Sequence, residues 1–435
     1  MKRLLETKRL INILDIHPDI ALETLQRARM AAFTLVKWLL CSVLSGSVIG
    51  LIGALFYKCL QYVTNIRTTY SFTLFFLPLA GIIIVFIYSL TNEADNTGTN
   101  LVITAIQSNV EVPVKVTPLI IISTLLTHLC GGSAGREGAA LQVGGSLGDF
   151  FAKLFNFDDK DTRIMIMCGM SACFSALFGT PIAAAVFSME VISVGVMYYA
   201  ALVPCIISSL TAQGIAGLLG VTPTAFTIGD ICSFNISTCL RLIIMSILFA
   251  LVSIAFCYML HTSSRIYSKY IENPYIRIVT AGILVILLRY ITGTTDYLGA
   301  GAPVIASSFL SSCAWYVFIL KMIFTAATLG GGFKGGEIVP TLFVGATLGS
   351  FLASIFGLPI GLCAACGMVS VFCGVTNCPL TSFIISIEMF GAASIKYVII
   401  CIAISYMLSG YYSLYNSQKI VYSKYKTEYI NRRSH

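Results

Sequence analysis

Two short stretches stand out for the chemistry their residues could do: "GGSAGREG" at 131–138 and "GGGFKGGE" at 330–337, glycine-rich turns that carry the carboxylates Glu137 and Glu337 and open apolar helices. Glycines let a backbone approach a ligand closely, and the first N–H groups of a helix are left unpaired and aimed at it. A helix N-terminus also carries positive partial charge, so the ligand such a turn favours is an anion. A carboxylate at that position is itself an anion in the anion's place. Glu137 would hold the site until it is protonated or displaced, which couples anion passage to protons. The alternative is an ordinary ion pair between Glu137 and the adjacent Arg136 on a loop outside the membrane. A charge at the bilayer centre costs at least ~2.5 kcal/mol, so an ionisable residue there is a functional candidate by default.

The elements that must position these turns are membrane-spanning helices. The chain has 435 residues, of which 57% are hydrophobic and 11% charged, whereas an average soluble domain has roughly 25% charged residues. Apolar stretches such as Leu35–Phe56, Phe72–Leu90, Leu242–Met259 and Tyr397–Leu408 recur throughout, each approaching the ~20 residues that a spanning helix needs. The alternation of a transmembrane barrel is missing, so helices must satisfy the backbone. The expected fold class is an all-α polytopic membrane protein. The net charge of +8 gathers near the two ends, at Lys2, Arg3, Lys8, Arg9, Arg27 and Arg29 and at Lys419, Lys424, Lys426, Arg432 and Arg433. That pattern reads as positive-inside topology with both termini cytoplasmic, and not as a nucleic-acid surface. Among 15 cysteines, Cys363 and Cys366 make one lone CxxC with apolar neighbours, better read as packing than as a metal site. No cofactor is expected. Residues 1–30 lack the apolar core of a cleavable signal peptide and are expected to form a cytoplasmic or interfacial helix.

The chain also repeats itself. "CGMSACFSALFGTPIAAAVFSMEV" from Cys168 and "CGMVSVFCGVTNCPLTSFIISIEM" from Cys366 align at an offset of 198 without a gap, pairing Cys168/Cys366, Gly169/Gly367, Met170/Met368, Phe174/Phe372, Pro181/Pro379, Ser188/Ser386 and Glu190/Glu388. The two glycine-rich turns form a second pair just upstream. Interrupted segments at matching places in two halves point to a transporter whose site lies near the midplane, where half-helix N-termini meet. Glu190 and Glu388 follow apolar helices at equivalent positions and are expected to end a helix or cap a neighbour. His128 reads as a packing histidine more readily than a proton relay, and Lys334 is either a vestibule-rim cation or a solvated loop residue.

On these residues the chain resembles the CLC family of chloride channels and anion/proton exchangers, from about residue 35 to 426. The resemblance implies an inverted-repeat helical fold with broken helices meeting at a midplane anion site, and a homodimer with one pore per subunit. It makes Glu137, in "GREGAALQ", the gating glutamate beside Gly138, and the "GGEIVP" stretch, Glu337 to Val339 with Ile338, the opposing helix N-terminus. It also assigns the family's pore tyrosine to Tyr422 in "KIVYSK". The third pore element falls on "DNTGT", Asp95–Thr99, and places Asn96 where chloride-transporting members have serine. The second glutamate that chloride/proton exchangers carry after the Glu190 position is Val191 here, as it is missing in channels of the family. Glu337, "KGGE" and the lack of the serine motif are most similar to the bacterial fluoride/proton antiporter branch, although that branch's usual threonine is Val339 here. Glu137 is then gate and proton carrier and Glu337 a second proton-linked group, because neighbouring carboxyls disfavour each other's ionisation and a protonated one becomes a donor. Fluoride, small and strongly hydrated, needs hard donors such as Asn96, backbone N–H groups and the Tyr422 hydroxyl.

The expected organisation is a helix over 1–30, a first transmembrane repeat over 31–220, a second over 221–426 and a short cytoplasmic tail over 427–435 with no regulatory domain. The expected function is fluoride export in exchange for protons across the cell membrane, with chloride/proton exchange or a passive chloride channel as alternatives. The partners are the anion, protons, the lipid bilayer and a second copy of the chain. A hydrolase is the competing class, since "GGSAG" fits a nucleophile elbow at Ser133 with His128 or His261 as base. An elbow requires a strand before it, and an apolar helical run stands there instead.

Overall fold

The computed structural model describes residues 18–93, 96–108 and 110–434; residues 1–17 of the expected N-terminal helix, and Asp95, lie outside them. The first half consists of α1 (Pro18–Thr69), α2 (Leu77–Leu90), α3 (Thr99–Ser108), α4 (Val116–Leu129), α5 (Glu137–Leu154), α6 (Asp159–Phe178), α7 (Pro181–Glu190) and α8 (Leu202–Leu218). The second consists of α9 (Ile236–Tyr270), α10 (Pro274–Thr292), α11 (Ala302–Ser308), α12 (Val317–Gly330), α13 (Ile338–Phe356), α14 (Ile360–Thr376), α15 (Pro379–Phe390) and α16 (Ile395–Leu408). Among the described residues 7 helices are long and apolar enough to cross a membrane, and shorter apolar helices of 10–17 residues, such as Val116–Leu129 and Val317–Gly330, accompany them. α1 is one unbroken helix of 52 residues, so the stretch before residue 30 continues into the first span.

The repeated sequence forms repeated structure. α6 begins at an Asp158 cap that accepts from Asp161 N at 2.8 Å and ends at Gly179 with φ 72°. Its counterpart α14 ends at Asn377 with φ 59°, the other residue type that tolerates the left-handed region. In each half a proline, Pro181 or Pro379, then opens the next helix, where its missing N–H and fixed φ cost nothing.

Small residues set the closest helix crossings. Gly144 of α5 faces Gly169 of α6, and Gly345 of α13 faces Gly367 of α14; a Cβ added to any of the four would run into the facing glycine's carbonyl oxygen. Both motifs let two helices meet backbone to backbone, the contact that substitutes for a hydrophobic driving force in lipid. Glu190 and Glu388 tie the halves together. Glu190, at the end of α7, accepts from Leu380 N and Thr381 N of α15 at 3.0 and 2.8 Å. Glu388, near the end of α15, accepts from Ile182 N and Ala183 N of α7 at 3.0 and 2.9 Å. Each therefore caps its partner helix with the charge that helix's N-terminus favours.

The fold is all-α as expected, with a small 3-stranded sheet beside the helices. β1 (Ser193–Val194) pairs in parallel with β2 (Lys419–Tyr422), which pairs antiparallel with β3 (Tyr429–Arg433). The chain after residue 426 is thus paired as a strand. The strap from Ser409 to Gln418 that enters this sheet is anchored in both halves: Gln418 Nε2 donates to Val191 O of the first and Thr376 O of the second at 3.0 and 2.8 Å. Ser417 N donates to Asn100 Oδ1 at 3.0 Å.

Gly169→Ala and Gly367→Ala should each destabilise the detergent-purified protein by about 1–3 kcal/mol, read as a lowered midpoint of thermal unfolding. Gly214→Ala and Gly217→Ala, where an added Cβ meets nothing within 4 Å, should leave the midpoint unchanged or slightly raised.

Candidate functional site

The two glycine-rich turns meet. Gly135 N donates to Gly336 O at 2.7 Å and Gly336 N to Gly135 O at 2.8 Å, a two-bond bridge between the halves. It sets the first residues of α5 and α13 against each other. The approach depends on glycine, since a Cβ on Gly336 would stand 2.6 Å from Gly138 N and 2.9 Å from Glu137 N. Behind the bridge Ser133 N donates to Thr328 Oγ1 at 3.0 Å and its hydroxyl meets Thr325 Oγ1 at 3.1 Å. His128 Nε2 lies 3.3 Å from Gly135 O. Ser133 is held by threonines and His128 by the turn's backbone, so these residues brace the turn and form no nucleophile–base pair. His261 is likewise engaged elsewhere, 2.7 Å from Ser413 O.

Glu137 closes the junction. Its side chain is fully buried, and its Oε2 accepts from Arg136 N at 3.0 Å and from Val339 N, across the repeat, at 3.2 Å. Oε1 lies 3.7 Å from Arg136 Nε and accepts no hydrogen bond among the described residues. The Arg136 guanidinium leans away over the rings of Tyr57 and Phe178, at 4.7 and 5.5 Å. One carboxylate oxygen thus collects N–H groups from the starts of two opposed helices, the donor set an anion would use.

Two cavities flank this point. One, of about 300 Å³, is lined by Asn96, Thr99, Gln142, Lys334, Glu337 and Tyr415 among others. The other, of about 430 Å³, is lined by Tyr57, His128, Arg136, Val339 and Met368 among others. Glu337 and Gln142 face the first cavity, Arg136 and Val339 the second, and Glu137 sits between them. Lys334 lies 4.5 Å over the Tyr88 ring at the first cavity's wall.

Of the residues singled out in the sequence, Glu137, Gly138, Ile338 and Val339 converge at the junction and Glu337 and Asn96 line the first cavity. Asn96 is only half available: its Nδ2 donates to Glu93 Oε2 at 3.1 Å and its Oδ1 accepts from Gly98 N at 2.8 Å. Tyr422 is a correction. It is 46% exposed on β2, with its ring 5.7 Å from that of Tyr429, and does not reach either cavity. Tyr415, 1% exposed in the strap, lines the first cavity with its hydroxyl buried and unpartnered among the described residues. The sequence offers several tyrosines after the last apolar helix, and choosing among them requires knowing where the strap is pinned. Gln142, a polar residue one turn inside an apolar helix that begins at Glu137, also lines the first cavity, and its polarity in that helix is the signal the sequence carries.

A profile of the family described as voltage gated chloride channel matches residues 80–410. A protein of Pseudomonas syringae pathovar tomato named "Chloride/fluoride channel protein" is 34% identical over 398 residues, covering 90% of this chain and 88% of that one. The crystal structure of a CLC-type fluoride/proton antiporter superposes with a TM-score of 0.86 at 32% identity, covering 89% of this chain and 98% of that one. A slow cyanobacterial Cl⁻/H⁺ antiporter superposes with a TM-score of 0.74 over 86% of this chain and 94% of that one, and at 18% identity shares the fold.

Tyr415→Phe should weaken anion binding by about tenfold or more, the value of one hydrogen bond to a charged group, in isothermal titration of the purified protein with fluoride. Tyr422→Phe should leave the affinity within the error of the measurement.

Proposed function

Since the chain belongs to the voltage-gated chloride channel (CLC) family, we propose that it exchanges fluoride for protons across the cell membrane, with Glu137 as the protonatable gate. The observation that carries this reading is the Glu137 carboxylate bonded to Arg136 N and Val339 N at once. Protonation removes the charge those N–H groups recognise, so the side chain leaves and a fluoride ion takes the donors. Deprotonation reverses the exchange. Anion and proton then cannot cross independently, because one group excludes the other from the same place.

Glu337 lining the neighbouring cavity supports a second proton-linked group on that side. Fluoride is the favoured anion because its tight hydration yields to short, hard donors, and the backbone N–H pair and the Tyr415 hydroxyl are of that kind. The likeness to a fluoride/proton antiporter at 32% identity points the same way. The reading places the repeats at 31–220 and 221–426, both termini in the cytoplasm, and two copies of the chain in a dimer with one pore each.

The test is proton movement in liposomes with an outward fluoride gradient, voltage clamped by a potassium ionophore, and chloride in parallel. Uphill proton movement with fluoride and not with chloride is expected, and Glu137→Gln should reduce it to background while fluoride still crosses. Equal coupling to chloride would make the protein a chloride/proton exchanger, and rapid anion flux without protons would make it a channel.

A further inference from the structure

The amide of Gln142 is bound at one end only. Its Nε2 donates to Gly138 O at 3.1 Å, one turn back in α5, while Oε1 is buried with no hydrogen-bond partner among the described residues. The side chain is 4% exposed and lines the cavity that Glu337 and Tyr415 share. Turning the amide over would set its oxygen against the Gly138 carbonyl, acceptor against acceptor, so the unsatisfied end is the oxygen. A buried carbonyl oxygen without a donor is costly. Beside an anion it is worse placed still, because an anion offers only electron pairs and the two repel.

What satisfies this oxygen is a hydrogen-bond donor, N–H or O–H. The Tyr415 hydroxyl in the same cavity is also buried and unpartnered, so the cavity presents a donor and an acceptor that do not satisfy each other. A group that accepts from the phenol and donates to the amide fits both. A protonated carboxyl does so; a fluoride ion or a carboxylate can take only the phenol. Glu337 lines this cavity, whereas Glu137 is not among its lining residues and its Oε2 is taken by Arg136 N and Val339 N.

We propose that Gln142 is a positioning residue for the transported proton: its Oε1 accepts the hydrogen bond of the protonated Glu337 carboxyl, directly or through one water. The inference rests on the exchange reading. No covalent bond changes; the proton arrives on and leaves from the Glu337 carboxyl, and Gln142 favours the neutral acid while it is there. The charged and titratable groups facing Glu337 are Glu137 from α5, Lys334 of its own turn, Arg277 from α10, Tyr415 from the strap and Cys257 from α9. None of them changes when Gln142 does.

Gln142→Met keeps the length and removes the acceptor. In liposomes it should lower the protons moved per fluoride by about fivefold and shift the midpoint of the pH profile by roughly 0.7 unit toward acid, because the neutral acid has lost its partner. In infrared difference spectra between acid and neutral pH, the carboxylic C=O band that Glu337→Gln abolishes should move to higher frequency in Gln142→Met. A merely structural role would leave that band where it is. If Gln142→Met does not fold, Gln142→Asn retracts the same oxygen by one methylene and carries the same test. An unchanged ratio, midpoint and band in a folded variant overturns the role of Gln142 and leaves the exchange reading standing; a wild type that moves fluoride without protons overturns both.

Discussion

The two hydrogen bonds exchanged between Gly135 and Gly336 hold the starts of α5 and α13 face to face, and the rest of the molecule is arranged to tolerate that. Two helix N-termini pointed at one another bring like partial charges and unpaired N–H groups together. Left alone the arrangement is unfavourable. A negative charge between them turns the same geometry into a strong site, and the Glu137 carboxylate supplies it from within the chain. On the proposed reading the junction holds an anion at all times, either the protein's own or one in transit, and the protonation of Glu137 decides which.

Holding such a junction requires a scaffold that does not yield. The glycine pairs Gly144/Gly169 and Gly345/Gly367 let each pore helix lie directly on the next helix of its own half. The reciprocal caps of Glu190 and Glu388 fasten the two halves across their symmetry. A third device is the C-terminal strap, which is pinned through Gln418 to Val191 and Thr376 and carries Tyr415 into the cavity beside Glu337. Rigid support of this kind keeps donors within the fraction of an ångström that recognition of a small ion demands.

Much of this was legible in the residues. The duplication showed because identities recur at one fixed offset, and the glycine turns with Glu137 and Glu337 announced the helix starts that meet. The capping role of Glu190 and Glu388 was readable in kind, but not that each caps the other's helix, which depends on packing between halves. The "KIVYSK" resemblance points to Tyr422, whereas the strap's position is fixed by pairing of Ser193 with Lys419, residues more than two hundred apart, and no local pattern carries that register. β1 spans two residues, too short to show as alternation. Asn96 lines the first cavity, yet its amide is committed to Glu93 and Gly98 by a loop turn that composition alone does not reveal.

On the proposed mechanism Glu137 and the transported anion compete for the same two N–H groups. Isothermal titration of the wild type and Glu137→Gln with fluoride across a range of pH tests it most directly. Competition predicts that wild-type affinity weakens by about tenfold per pH unit once the carboxyl ionises, by linkage of one proton to one anion, and that Glu137→Gln binds more tightly with most of that slope gone. The same slope in both proteins would contradict it, since the carboxylate could then not be standing in the anion's place.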